Sequence, residues 1–190
     1  MIGSVLGDAW RRVTSIGTPS TDPWTAAYLN QAGNRLRHVP NEVYALVVRE
    51  IERGITEGLD IPTVTRNVEL VLTSTGTDRW PNRARTVART ETMGAVNAGV
   101  FRAAELDAEA RGDVAPAKVW IATDDSRTRP THVDADGQRT LLRSPFRVGG
   151  ASLLFPGDPV GPADEVINCR CTILPVVLGE EIDWTERQNP

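Results

Sequence analysis

Apolar side chains recur at the three-to-four spacing of amphipathic helices along the first ~112 residues, and beyond Gly112 the pattern shortens toward that of strands. Val5, Leu6, Ala9, Trp10 and Val13 predict a short amphipathic helix within residues 1–13. Thr21-Asp22-Pro23 supplies an N-cap followed by proline at the first helical position, so a helix from Pro23 to about Leu36 is expected. Asn41 caps another, with an apolar face running from Val43 to Ile55 and a stop at Gly58. Ile61-Pro62 restarts the chain into a short helix that carries Val64, Val68, Val71 and Leu72. The longest predicted helix spans about Asn82 to Arg111 and ends at Gly112. Its Ala84, Ala88, Ala95, Ala98 and Gly99 permit close approach on more than one side, which places it between the N-terminal helices and whatever follows.

After Gly112, Lys118 to Thr123 reads as a strand broken by Asp124-Asp125-Ser126. Asp136-Gly137 is a turn signal, and Gln138 to Leu142 is the expected partner strand. Gly149-Gly150, Pro156-Gly157-Asp158-Pro159 and Gly161-Pro162 punctuate a loop-rich stretch, and Thr172 to Leu178 closes a small sheet. The pattern is α+β: a helical region at 1–78, a mixed region at 79–178 and an acidic, peripheral tail at 179–190.

Of the 190 residues, 40% are hydrophobic and 24% charged, values that suit a folded domain. No apolar run approaches the ~20 residues of a membrane helix, and the N-terminus lacks the basic lead, apolar stretch and cleavage site of a secretory signal. The net charge of −4 opposes a general nucleic-acid coat protein. Residues 79–102 run against that sign, with Arg79, Arg83, Arg85, Arg89 and Arg102 facing the single acid Glu91. Such a face is solvated, or pairs internally through Arg89 with an acid of the C-terminal half, or touches DNA phosphates or an acidic partner. All basic residues except Lys118 are arginine, which reads as a codon bias or as a need for planar, bidentate cations.

Cys169 and Cys171, in Asn168-Cys169-Arg170-Cys171, are the only cysteines. Side chains two apart face the same way in a strand. Three readings stand open: reduced thiols in a small core, a tight disulfide of poor geometry, or a soft-metal site such as structural zinc. In the metal reading His132 is the third ligand, and Asp125, Asp134 or Asp136 the fourth. His38, before Pro40, suits capping of helix carbonyls. His132 could serve acid–base chemistry only with Ser126, Thr128 or Cys169 brought beside it. No phosphate loop, HExxH pair or dinucleotide fingerprint occurs.

One ordered series carries more. Ala88-Arg89-Thr90-Glu91-Thr92, Asn97, Lys118-Val119-Trp120, Asp125-Ser126-Arg127-Thr128-Arg129 with His132, Asp136-Gly137-Gln138, Pro145-Phe146, Pro156-Gly157-Asp158 and Asn168-Cys169-Arg170-Cys171 together resemble the Mu F-like family of phage head morphogenesis proteins. The resemblance covers residues ~79–178. It implies a minor capsid protein of a tailed bacteriophage, non-enzymatic and associated with the portal, that acts in head assembly, DNA packaging or DNA ejection. The implied partners are the portal protein, with scaffold or major capsid protein beside it and a weak contact with packaged DNA. No membrane is implied; the location is the virion interior near the portal, and the host cytoplasm during assembly. The structural motif residues it implies are Arg89, Glu91, Asp125, Arg127, Arg129, His132, Gly137 and Asn168. Arg89 is expected to bond into the β half through Glu91 or Asp125, while Trp10 and Trp24 are the expected docking aromatics. The alternative is a metal-dependent hydrolase or nuclease using His132 with Cys169 and Cys171.

Overall fold

The computed structural model describes residues 41–75, 81–112, 115–123, 125–179 and 181–182, together with Gln31. The helices expected within 1–13 and 23–36, with Trp10, Trp24 and His38, lie outside the described residues, as does the tail beyond residue 182.

The described chain is α+β, helices first. Helix α1 (Asn41–Glu57) ends before Gly58, whose φ of +66° suits glycine. Helix α2 (Ile61–Ser74) starts where the Asp60 carboxylate accepts the Thr63 amide at 2.7 Å, with a proline inside the first turn. Helix α3 (Pro81–Arg111) is the spine. Strand β1 (Pro116–Ile121) pairs antiparallel with β2 (Arg139–Leu141) on one edge and with β5 (Thr172–Val177) on the other, giving the order β2-β1-β5. Between β1 and β2 lies the six-residue helix α4 (Pro130–Ala135), and immediately before β5 in the chain lies α5 (Ala163–Val166).

Strands β3 (Phe146–Val148) and β4 (Ala151–Leu153) form a second, two-stranded sheet. Here the structure corrects the sequence reading, which treats Gly149-Gly150 as loop punctuation. The two glycines, at φ +55° and +85°, are the central pair of a two-residue hairpin turn that needs positive φ at both positions.

Two cores meet on α3. Its N-terminal part, with Ala84 and Ala88, packs with Val43, Val47, Ile51, Val64, Val68 and Leu72 of α1 and α2. Farther along, Ala98, Val100 and Phe101 enter a core built around Trp120, Phe146, Leu153 and Phe155. Ala95 packs against both, so the small residues serve the close approach that their spacing predicts. At Gly94 the approach is backbone to backbone: a Cβ on Gly157 would lie 3.0 Å from the Gly94 Cα. Among the described residues no helix is long and apolar enough to cross a membrane.

Candidate functional site

His132, Cys169 and Cys171 come together although 37 residues separate the histidine from the first cysteine. Pro130 starts α4 at a position where its missing N–H costs nothing, and the helix holds His132 and Ala135 inward. On the other side Asn168, at φ +59°, turns the chain out of α5 into an extended run. Residues two apart then share a face: Cys169 and Cys171 point inward, and Arg170 points to the opposite side. The imidazole and both thiols are only 1–2% exposed.

His132 Nδ1 lies 3.3 Å from Cys171 Sγ and 3.7 Å from Cys169 Sγ. Its Nε2 lies 3.0 Å from Oε2 of Glu165, which also accepts the Thr131 hydroxyl at 2.9 Å. A carboxylate can only accept, so Nε2 carries a proton and the ring is fixed in orientation. The ring also stands edge-on to Trp120, with centroids 5.4 Å apart. Glu165 is itself buried, and Gly149 backs onto it so closely that a Cβ there would fall 1.9 Å from Oε1.

The two thiols differ. The neighbouring Cys171 sulfur, and burial after it, hold the Cys169 thiol protonated. Cys171, beside the Cys169 thiol and the His132 ring, is lowered to about 5 against the opposing effect of burial. Both cysteines are free, so no disulfide joins them.

The expected fourth ligands are elsewhere, which corrects that part of the metal reading. Asp136 caps the Ala122 amide at 2.7 Å, and Asp134 is exposed. The Asp125 carboxylate accepts both Arg170 nitrogens, one at 2.6 Å, and the Arg127 amide at 2.9 Å. The hydrogen bond from Arg170 is the main cause that holds Asp125 well below the usual carboxylate range. Thr128 closes the same loop on Asp125 and on the Thr123 carbonyl.

Arg89 is also corrected. The Asp125 carboxylate is held instead by Arg170, sent outward by the parity of the cysteine pair. The link from α3 to the cysteine loop is made by its neighbour Thr90, whose Oγ1 accepts the Asn168 amide at 3.0 Å. Glu91 is buried in α3, and Arg129 reaches the Ile167 carbonyl. Gly137, at φ +73°, donates to the Trp120 carbonyl at 2.9 Å and turns the chain into β2. Arg89 lines a cavity of about 430 Å³ with Arg66, Arg85 and Arg170, and with Glu69, which lies 3.4 Å from Arg85.

Three participants escape a sequence reading. Glu165 sits in an ordinary acidic pair, Asp164-Glu165, with no spacing that ties it to His132. Gly149 reads as a loop glycine. Asn97, fully buried, donates to the carbonyls of Pro156 at 3.0 Å and Cys171 at 2.9 Å, and accepts the Thr172 hydroxyl at 2.9 Å. Its place in the ordered motif series is the only signal that singles it out.

The arrangement is a buried, hydrogen-bonded staple between α4, α5 and the cysteine loop, tied to α3 by Thr90 and Asn97. The chain is 30% identical over 145 residues to the NAD(+)--arginine ADP-ribosyltransferase EFV of Enterococcus faecalis, covering 76% of this chain and 28% of that protein. It is 30% identical over 142 residues to the uncharacterized protein YqbB of Bacillus subtilis, covering 72% of this chain and 44% of the relative. The chain therefore spans less than half the length of either relative. No solved structure matches it. The family described as Phage Mu protein F like protein matches residues 45–174, from within α1 to within β5, and the chain belongs to that family.

Proposed function

We propose that this chain is a minor capsid protein that binds the portal of a tailed phage, stays inside the head, and acts in head assembly, DNA packaging or ejection without catalysing a reaction. The carrying observation is the family match over residues 45–174, which takes in the whole staple and, save Val43, both cores. The burial of the chemistry-bearing groups supports the non-enzymatic reading. With 1–2% exposure at His132, Cys169 and Cys171, a substrate has no route to a nucleophile or a bound water. That burial weighs against the hydrolase or nuclease alternative. The activity in the name of the Enterococcus relative belongs to a protein of which this chain covers 28%, and the part shared with YqbB is nearly the same length.

The partners follow from this role: the portal first, then scaffold or major capsid protein. The location is the virion interior near the portal, after a period in the host cytoplasm. Arg66 is exposed and Arg89 half-buried in the arginine-lined cavity, which supports a weak, salt-sensitive contact with packaged DNA. Trp10 and Trp24 are the proposed anchors on the portal. Deleting residues 1–40 tests this, because both described cores begin after residue 41 and are retained. Heads assembled with the truncated chain should lack it; normal incorporation would overturn the docking assignment. Cleavage of DNA or peptide by the purified chain, abolished by His132→Ala, would overturn the non-enzymatic reading.

A further inference from the structure

We propose that His132 Nδ1, Cys169 Sγ and Cys171 Sγ are three ligands of one zinc ion, with Glu165 as the positioning residue that orients the imidazole. The three donor atoms lie within 4.8 Å of one another, and among the described residues no further His, Cys, Asp or Glu joins them. A tetrahedral zinc with its usual bond lengths sets nitrogen and sulfur about 3.5 Å apart. The two observed separations, 3.3 and 3.7 Å, fall on either side of that edge.

Hydrogen bonding alone accounts for the geometry less well. Nδ1 has one in-plane position, a lone pair or an N–H, and it can align with one sulfur only. Here two sulfurs converge on it, as they do at a metal vertex. The far nitrogen is already committed: its proton lies on Glu165, the carboxylate–histidine–metal arrangement that leaves the near nitrogen free to coordinate. The Glu165 carboxylate is in turn held by Thr131 and walled in by Gly149.

The chemistry is simple ligand exchange. Zinc binds as the divalent ion, one Zn–N and two Zn–S bonds form in place of bonds to water, and any S–H proton the sulfurs still hold passes to solvent; nothing is oxidised or reduced. Because the three side chains are buried, the ion works as a staple that joins α4 to the cysteine loop.

The full chain, unfolded under reducing conditions and refolded with zinc chloride or cobalt chloride as the metal alone, tests the assignment. Elemental analysis should return one ion per chain, and the cobalt form should show thiolate-to-metal charge-transfer bands. Melting temperature should rise with zinc and fall back on chelation. Cys171→Ser should weaken the charge-transfer bands. Glu165→Gln should lower zinc affinity about 10–100-fold while still reaching one ion per chain at saturation, and its metal-free melting temperature separates that loss from a general loss of fold. Where the cysteine variant does not fold, the wild-type stoichiometry and cobalt spectrum decide alone. A refolded wild-type chain that takes up no zinc, or a cobalt form without sulfur bands, overturns the proposal.

Discussion

Asn97→Leu removes the one side chain that ties the middle of α3 to both the Pro156 turn and the cysteine loop. Asn97 is fully buried and every polar atom of its amide has work: two donated bonds, to Pro156 O and Cys171 O, and one accepted from Thr172. Leucine has similar bulk, so the void is small and the loss is mainly polar. Each buried carbonyl left without a donor costs about 1–3 kcal/mol. Thr172 is only half-buried and can turn its hydroxyl to water, so it adds little. Two orphaned carbonyls, less about 1 kcal/mol returned by the added apolar surface, leave a net loss of about 3 kcal/mol. Against a domain stability of roughly 5–15 kcal/mol that is large, and at this chain length it lowers the melting temperature by about 6–12 °C. Urea unfolding followed by the fluorescence of buried Trp120 measures it at equilibrium. A loss under about 1 kcal/mol with an unchanged urea slope would show that α3 is not clamped through this amide.

Ala95→Leu should destabilise by roughly 1–3 kcal/mol through overpacking, since Ala95 touches both cores; a midpoint unchanged in urea would place that face in solvent. Lys118 gives a pH dependence whose sign can be worked out: burial lowers its pKa from 10.5 to about 8, so between those values the folded chain has released a proton that the unfolded chain still holds. Unfolding free energy from this group therefore rises with pH across that window, and Lys118→Met should abolish the rise. Urea midpoints of the two proteins that run parallel across the window would refute it.

Much of the helical frame is legible because it rests on local signals. Asn41, Gly58, Ile61-Pro62 and Gly112 mark ends that the structure reproduces within a residue or so. The cysteine pair is legible in one respect, since strand parity puts both sulfurs on one side. Parity also implies that Arg170 leaves on the other side, yet nothing in the spacing says that Asp125, 45 residues upstream, waits there. The same limit explains Arg89: charge counting finds the basic face but not which arginine meets which acid. Glu165 was hidden for a related reason. Its role depends on α5 lying close enough to α4 for Glu165 to meet Thr131 and His132, with Gly149 backing onto its carboxylate, and no local pattern encodes that approach.

Lys118 shows where composition yields to geometry. An arginine-rich chain with a single lysine reads first as codon preference, and over most of the surface the two cations would be interchangeable. At this position they are not. Lys118 is fully buried in β1, with Nζ 5.1 Å from the ring centroids of both Phe101 and Phe146. The ammonium donates to the Leu142 carbonyl and, at 2.7 Å, to the Ser144 carbonyl, closing the end of β2 over the core. Three compact donors meet two carbonyls and two aromatic faces, a set an ammonium can satisfy. A guanidinium would bring five N–H groups in a rigid plane, and each one buried without an acceptor would cost about 1–3 kcal/mol. The lone lysine therefore marks a place where the shape of the cation, and not its charge, is what the fold requires.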